Sequence, residues 1–172
     1  MMQLDSGNAQ SCAGDVALIV GGGPGISASC ARLLAQNGMR VGIAARNLDK
    51  SALQNLENTH GVRRYVCDAS EPAGVELLFQ NVVRDLGART LVVHNIDGRV
   101  PGIFGKGITE VGPGMVLETL RNSAFSASLV GQQSVRSLEG NSVISAQRPL
   151  TSGVKRAVLA RAAPTGRLRQ EM

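Results

Sequence analysis

Four glycines, Gly21, Gly22, Gly23 and Gly25, fall inside the stretch VALIVGGGPGISASC, residues 16–30. An apolar run ends at them and a helical spacing begins. Glycine tolerates a positive φ and puts no side chain between the backbone and a ligand. A helix starting at Ile26 would aim its unpaired N–H groups and positive dipole end at whatever lies in front. Such a junction suits a phosphate or pyrophosphate. The phosphate loop of nucleoside triphosphatases would close in Gly-Lys-Ser/Thr. This loop closes Gly25-Ile26-Ser27, without lysine. A tight strand-to-helix turn that holds no ligand is the other use of the same glycines.

The junction needs a strand before it and a helix after it, and the pattern continues beyond. VALIVG (16–21) is apolar throughout, as a strand buried on both faces should be. Ile26, Cys30, Leu33 and Leu34 supply a helical stripe over 26–37, and Gly38 suits the helix end. RVGIAA (40–45) reads as a second strand, 48–58 as a helix with Leu53 and Leu56 inward, and VRRYV (62–66) as a third strand. Ser70 is placed to cap a helix with Pro72 in its first turn. Val75, Leu78, Val82 and Leu86 form its stripe, and Gly87 ends it. TLVVHN (90–95) is a fourth strand. Six glycines and two prolines make 98–114 a loop. A long helix is expected over 115–138, then a fifth short strand, SVIS, ending at Ser145. Strands alternating with helices imply βαβ units and a parallel sheet. Its ligand would lie where the first strand meets the first helix.

Five segments in order carry a family resemblance. Gly21-x-x-x-Gly25-Ile26-Ser27 resembles the Gly-x-x-x-Gly-x-Gly loop of short-chain dehydrogenases/reductases. IAARN (43–47) is similar to the second-strand end of NADP-preferring members, and CDAS (67–70) to the Asp segment beside the adenine. VVHNID (92–97) resembles the Asn-Asn-Ala-Gly segment, and LRNSAFSAS (120–128) the long helix with its Asn-Ala-Phe/Ile core. The resemblance covers residues 16–145. It implies an α/β fold: a Rossmann-like doubly wound parallel sheet of about five strands, order 3-2-1-4-5, in one domain of residues 1–145. It also implies hydride transfer between a nicotinamide and a small carbonyl or alcohol substrate bordered by 98–114. The expected cofactor-binding residues are Gly21, Gly23, Gly25, Ile26, Arg46, Asn47, Asp68, Ala69 and Asn95. NAD-specific sites carry an acidic residue at the end of the second strand, for the ribose 2′-OH. Here stand Ala45 and then Arg46, whose guanidinium can pair with a 2′-phosphate. NADP(H) is therefore expected in preference to NAD(H).

The family pattern is also broken. Ser27 stands at the third glycine, where an added side chain would cost roughly 1–3 kcal/mol against a strand that does not yield. Asp97 stands where the family has glycine. At ~4 Å from a pyrophosphate and an effective dielectric of ~20, it would repel by about 4 kcal/mol. The family's proton relay, Tyr-x-x-x-Lys, is absent: Tyr65 is the one tyrosine, and Ala69 follows four residues on. Asn122, Ser123 and Ser145 are the weak catalytic candidates, with Ser152 as another relic of the serine. Oxidoreductase chemistry is thus expected to be impaired. A non-catalytic NADP(H)-binding module or partner subunit is the alternative, and a basic-tailed interaction protein the second.

Charge separates the tail from the body. Residues 1–145 carry twelve Lys/Arg and twelve Asp/Glu, whereas 146–172 carry six basic groups against Glu171. With no aromatic residue in that tail, nucleic acid is not the expected partner. The pattern, the charge balance and the catalytic motif change together near Ser145. Residues 146–172 are therefore expected to be an irregular, out-of-frame or replaced tail on a truncated reductase. An apolar face on 115–138 is expected to support homo-oligomers. Three scattered cysteines without ligand spacing argue for reduced thiols and against a metal site. No stretch has the ~20 apolar residues of a membrane span. No secretory leader is recognisable, so a cytoplasmic location is expected.

Overall fold

The computed structural model describes residues 12–136, together with the backbones of two strands at 143–147 and 157–161. The elements run β1 (Val16–Val20), α1 (Ile26–Gln36), β2 (Arg40–Ala45), α2 (Ser51–His60), β3 (Arg63–Val66), α3 (Pro72–Leu86) and β4 (Leu91–His94). After a long loop come α4 (Pro113–Leu120), a π turn (Arg121–Phe125), α5 (Ser126–Arg136), β5 (Val143–Gln147) and β6 (Ala157–Arg161).

The sheet order is β3-β2-β1-β4-β5-β6. Strands β3, β2, β1 and β4 form the expected parallel 3-2-1-4 arrangement. β5 continues it in parallel beside β4, and β6 pairs antiparallel with β5. The basic segment thus contributes one strand. The rest of 146–172, including Ser152, lies outside the described residues.

All five residues of β1 are buried, and they alternate between two cores. Val16, Leu18 and Val20 pack with Val75, Leu78, Phe79 and Val82 of α3 and Val130 of α5. Ala17 and Ile19 pack with Ala28 and Ala31 of α1 and Leu53 and Leu56 of α2. Helices cover both faces, as a parallel sheet requires.

Three local expectations are corrected. Of the expected α1 stripe, Cys30 and Leu34 pack against the core beside the buried Ser27, Ala28 and Ala31, while Ile26 and Leu33 are exposed. Small residues win there because the helix runs close over β1 and β2. Ser70 is not the cap of α3: that position is Glu71, and the Ser70 hydroxyl turns to Asp68 instead. The 115–138 helix is two α-helices joined by a π turn. Its serines bond back to the helix: Ser123 Oγ donates to the Thr119 carbonyl at 2.6 Å, and Ser126 Oγ to that of Asn122 at 2.7 Å.

Candidate functional site

The β1–α1 junction is anchored to β2. The N–H groups of Gly21 and Gly22 both donate to the Ala44 carbonyl, at 2.9 and 2.8 Å. Gly21 adopts φ +106°, and a Cβ there would collide with the Asn95 carbonyl and stand 2.8 Å from Ile96 Cγ1. Gly21 is therefore required both by its dihedral and by its neighbour. A Cβ on Gly23 or Gly25 would meet nothing within 4 Å, so the front of the loop is open. No side chain caps the start of α1 at Gly25 and Ile26. Its exposed N–H groups form an anion-accepting end of the helix.

Ser27 does not strain this junction. It is 2% exposed, its Oγ donates to the Gly21 carbonyl at 2.6 Å, and it accepts Asn95 Nδ2 at 2.7 Å. The serine thus ties α1 to the end of β4, and the expected packing penalty becomes a pair of buried hydrogen bonds. Asn95 serves as the other half of that tie. The composition gave no sign of it, because neither residue type alone implies the pairing.

Arg46 and Asn47 leave the C-terminal end of β2 and are exposed. Asn47 Oδ1 accepts the Asp49 N–H at 2.7 Å, which turns the chain into α2. At that turn Lys50, which the sequence analysis missed, donates from Nζ to the Gly22 carbonyl at 2.8 Å. Its place at the start of a helix, four residues after Arg46, was the available signal. Two cations therefore flank the loop on the β2 side.

Asp68 and Ala69 leave β3 beside them. Asp68 Oδ1 accepts both the Ser70 N–H at 2.9 Å and the Ser70 hydroxyl at 2.8 Å. Burial opposes its charge, but these hydrogen bonds and the nearby Arg46 and Arg121 hold the carboxyl below its ordinary range. Ala69 is buried. Arg46, Asp68, Ser70, Glu71, Arg121 and Asn122 line one cavity of about 380 Å³, and Glu71 and Arg121 form an ion pair on it. The cavity brings together the ends of β2, β3 and the π turn.

The β4 end carries the remaining groups. Asp97 is paired with Arg99, whose Nε reaches Oδ1 at 2.6 Å. The charge expected to stand alone before a pyrophosphate is therefore matched by a cation. The position that admits no side chain is the next one, Gly98, where a Cβ would stand 2.6 Å from the Ser123 nitrogen. Asn122 and Ser123 are thus placed against the β4 end, but Ser123 Oγ is engaged with its own helix. His94 is buried, with Nε2 2.9 Å from Ser126 Oγ. The serine proton is committed to a backbone carbonyl, so His94 Nε2 donates, and Nδ1 has no partner among the described residues. Burial pulls the His94 pKa down to about 4.

Ser145 stands in β5 opposite Val93 in the register. Tyr65 lies elsewhere: it is buried in the core, with its hydroxyl 3.3 Å from Asp85 Oδ2, and burial and that carboxylate push it up to about 12. It carries no proton chemistry near the glycine loop. An open, uncapped helix start beside Arg46 and Lys50 fits a dinucleotide diphosphate, while the cavity fits a base and ribose.

A family model described as enoyl-(acyl carrier protein) reductase matches residues 21–152 of the chain. The chain belongs to the short-chain dehydrogenase/reductase family. An uncharacterized oxidoreductase of Caenorhabditis elegans is 30% identical over 140 residues, which cover 77% of this chain and 44% of that protein. The 3-oxoacyl-acyl-carrier-protein reductase of Bos taurus is 33% identical over 81 residues, or 46% of this chain and 33% of that protein. The chain spans less than half the length of either relative. A short-chain dehydrogenase from Burkholderia cenocepacia, solved in complex with NADP, superposes with a TM-score of 0.63 at 22% identity, covering 74% of this chain and 52% of that one. One from Mycobacterium thermoresistibile gives 0.68 at 19%, covering 83% and 54%. These structures share the fold of this short-chain dehydrogenase/reductase.

Proposed function

We propose that this short-chain dehydrogenase/reductase chain binds NADP(H) across the C-terminal ends of β1, β2 and β4, and that hydride transfer is impaired in it. The observation that carries the proposal is the β1–α1 junction. It has an uncapped helix start, open space before Gly23 and Gly25, and Arg46 where an NAD-selective site would carry a carboxylate. The NADP complex of the Burkholderia cenocepacia neighbour supports it.

In this arrangement Gly21 and Gly25 shape the turn, the N–H groups of Ile26 and Ser27 receive the diphosphate, and Arg46 pairs with the 2′-phosphate. Asp68 accepts from the adenine amino group, and Asn95 holds the turn through Ser27. The bound dinucleotide supplies hydride exchange with a carbonyl or alcohol carbon. The proton that must accompany it has no tyrosine donor among the described residues: Tyr65 is committed to Asp85, and the sequence holds no Tyr-x-x-x-Lys. A dinucleotide-binding subunit without turnover of its own is the second reading, favoured by that same absence.

Titration of the purified chain by NADPH fluorescence, with NADH alongside, tests the proposal. Saturable binding that prefers NADPH and loses the preference in Arg46→Ala is expected. Turnover of NADPH with simple ketones should stay at background.

A further inference from the structure

We propose that Arg99 is a positioning residue of the dinucleotide crevice: it cancels the charge of Asp97, so that the crevice accepts a diphosphate. This rests on the dinucleotide-binding reading above. Segment 95–98 is clamped from two sides. On one side Asn95 Nδ2 donates to Ser27 Oγ at 2.7 Å, and the Asn95 carbonyl and Ile96 lie against Gly21. On the other, Gly98 leaves a Cβ only 2.6 Å from the Ser123 nitrogen. Asp97 lies one peptide from Gly98 and one from Ile96. Its backbone is therefore fixed between the glycine turn and the π turn, while its side chain stays 52% exposed.

An uncompensated carboxylate so near the glycine turn would repel a diphosphate that carries two negative charges. That repulsion is screened by salt, so it is strongest at low ionic strength. Arg99 meets that carboxylate with a two-pronged grip, Nε on Oδ1 at 2.6 Å and Nη2 on Oδ2. The face of the same guanidinium lies 4.0 Å from the Phe104 ring centroid. Phe104 is 67% exposed, so it serves Arg99 and not a core among the described residues. With the pair neutral, the helix start and Lys50 remain as the positive groups nearest the glycine turn. An ordinary exposed ion pair would contribute little to the fold and nothing to a ligand, and that difference is measurable.

The test is equilibrium binding of NADPH and of NADH by the full chain at low salt, read by cofactor fluorescence. Arg99→Ala should weaken both dinucleotides by roughly ten-fold, because the diphosphate is common to them, whereas Arg46→Ala should act on NADPH alone. Asp97→Asn should bind at least as tightly as wild type. The double variant Asp97→Asn/Arg99→Ala should return to within about two-fold of wild type, since the charge that Arg99 cancels is gone. Thermal unfolding should show Arg99→Ala folded, and if it is not, Asp97→Asn decides, because weaker binding by that variant overturns the proposal. Arg99→Ala binding like wild type would overturn it alone, as would a double variant as weak as Arg99→Ala. Absence of binding by wild type would overturn the dinucleotide reading and this inference with it.

Discussion

The helix that opens at the glycine turn and the helix that leads into the π turn are built in opposite ways. In α1 the inward residues are Ser27, Ala28 and Ala31, small enough for the helix to lie close on β1 and β2. In α4 no residue is buried, and Val116, Leu117 and Leu120 are 43%, 68% and 50% exposed. The first region is held by close packing and by the chain Asn95–Ser27–Gly21. Beyond α4 the second region is anchored by Val130 of α5 in the core and by two polar joints, His94 to Ser126 and Arg121 to Glu71. The glycine-turn side therefore derives its shape from sterics, while the facing side adds groups that titrate or screen to one apolar anchor.

The comparison predicts different failures for the two regions. Gly21→Ala should be the most damaging change. It forces a side chain onto φ +106° and into the Asn95 carbonyl, and about 4 kcal/mol of stability should be lost in urea unfolding. Acid should act next, through the other region. Burial keeps His94 neutral down to about 4. The unfolded chain takes up that proton already below about 6.5. Stability from this group is therefore complete above that value and falls as pH drops through the window, by about 3 kcal/mol in all. His94→Asn should flatten the profile between pH 6.5 and 4; an unchanged slope would reassign it.

Ser27→Ala should cost about 1 kcal/mol, because it leaves the half-buried Asn95 amide and Gly21 carbonyl without their partner. A stabilised variant would mean that the serine merely replaces a better glycine. Smallest should be Leu117→Ser with Leu120→Ser, within about 0.5 kcal/mol of wild type, since neither side chain is buried. We expect this double variant to self-associate less by light scattering, in keeping with a proposed oligomer contact on that face.

Much of the first region was legible in the sequence because its rules are local. Apolar runs in VALIV and RVGIAA, the glycine turn and Pro72 at a helix start each fix structure within a few residues. Arg46 and Asp68 were placed by their position at strand ends, and both line the same cavity. What was missed is long-range. Ser27 reads as a flaw until Asn95, 68 residues on, is seen to donate to it. The Asp97–Arg99 pair is the local exception: the two residues are two positions apart, and only the fold of the loop shows that they meet. Lys50 joins the glycine turn only because β1 and β2 are neighbours in the sheet. The periodicity over 115–138 is continuous, so it gave no hint of the π turn that divides the helix.

The central claim is that the glycine turn and Arg46 form an NADP(H) site. The most direct measurement is the fluorescence titration with NADPH and NADH on wild type and Arg46→Ala. Saturable binding, tighter for NADPH and at least ten-fold weaker for NADPH alone in the variant, is the predicted result. No saturable binding of either dinucleotide by a folded wild-type chain would contradict it.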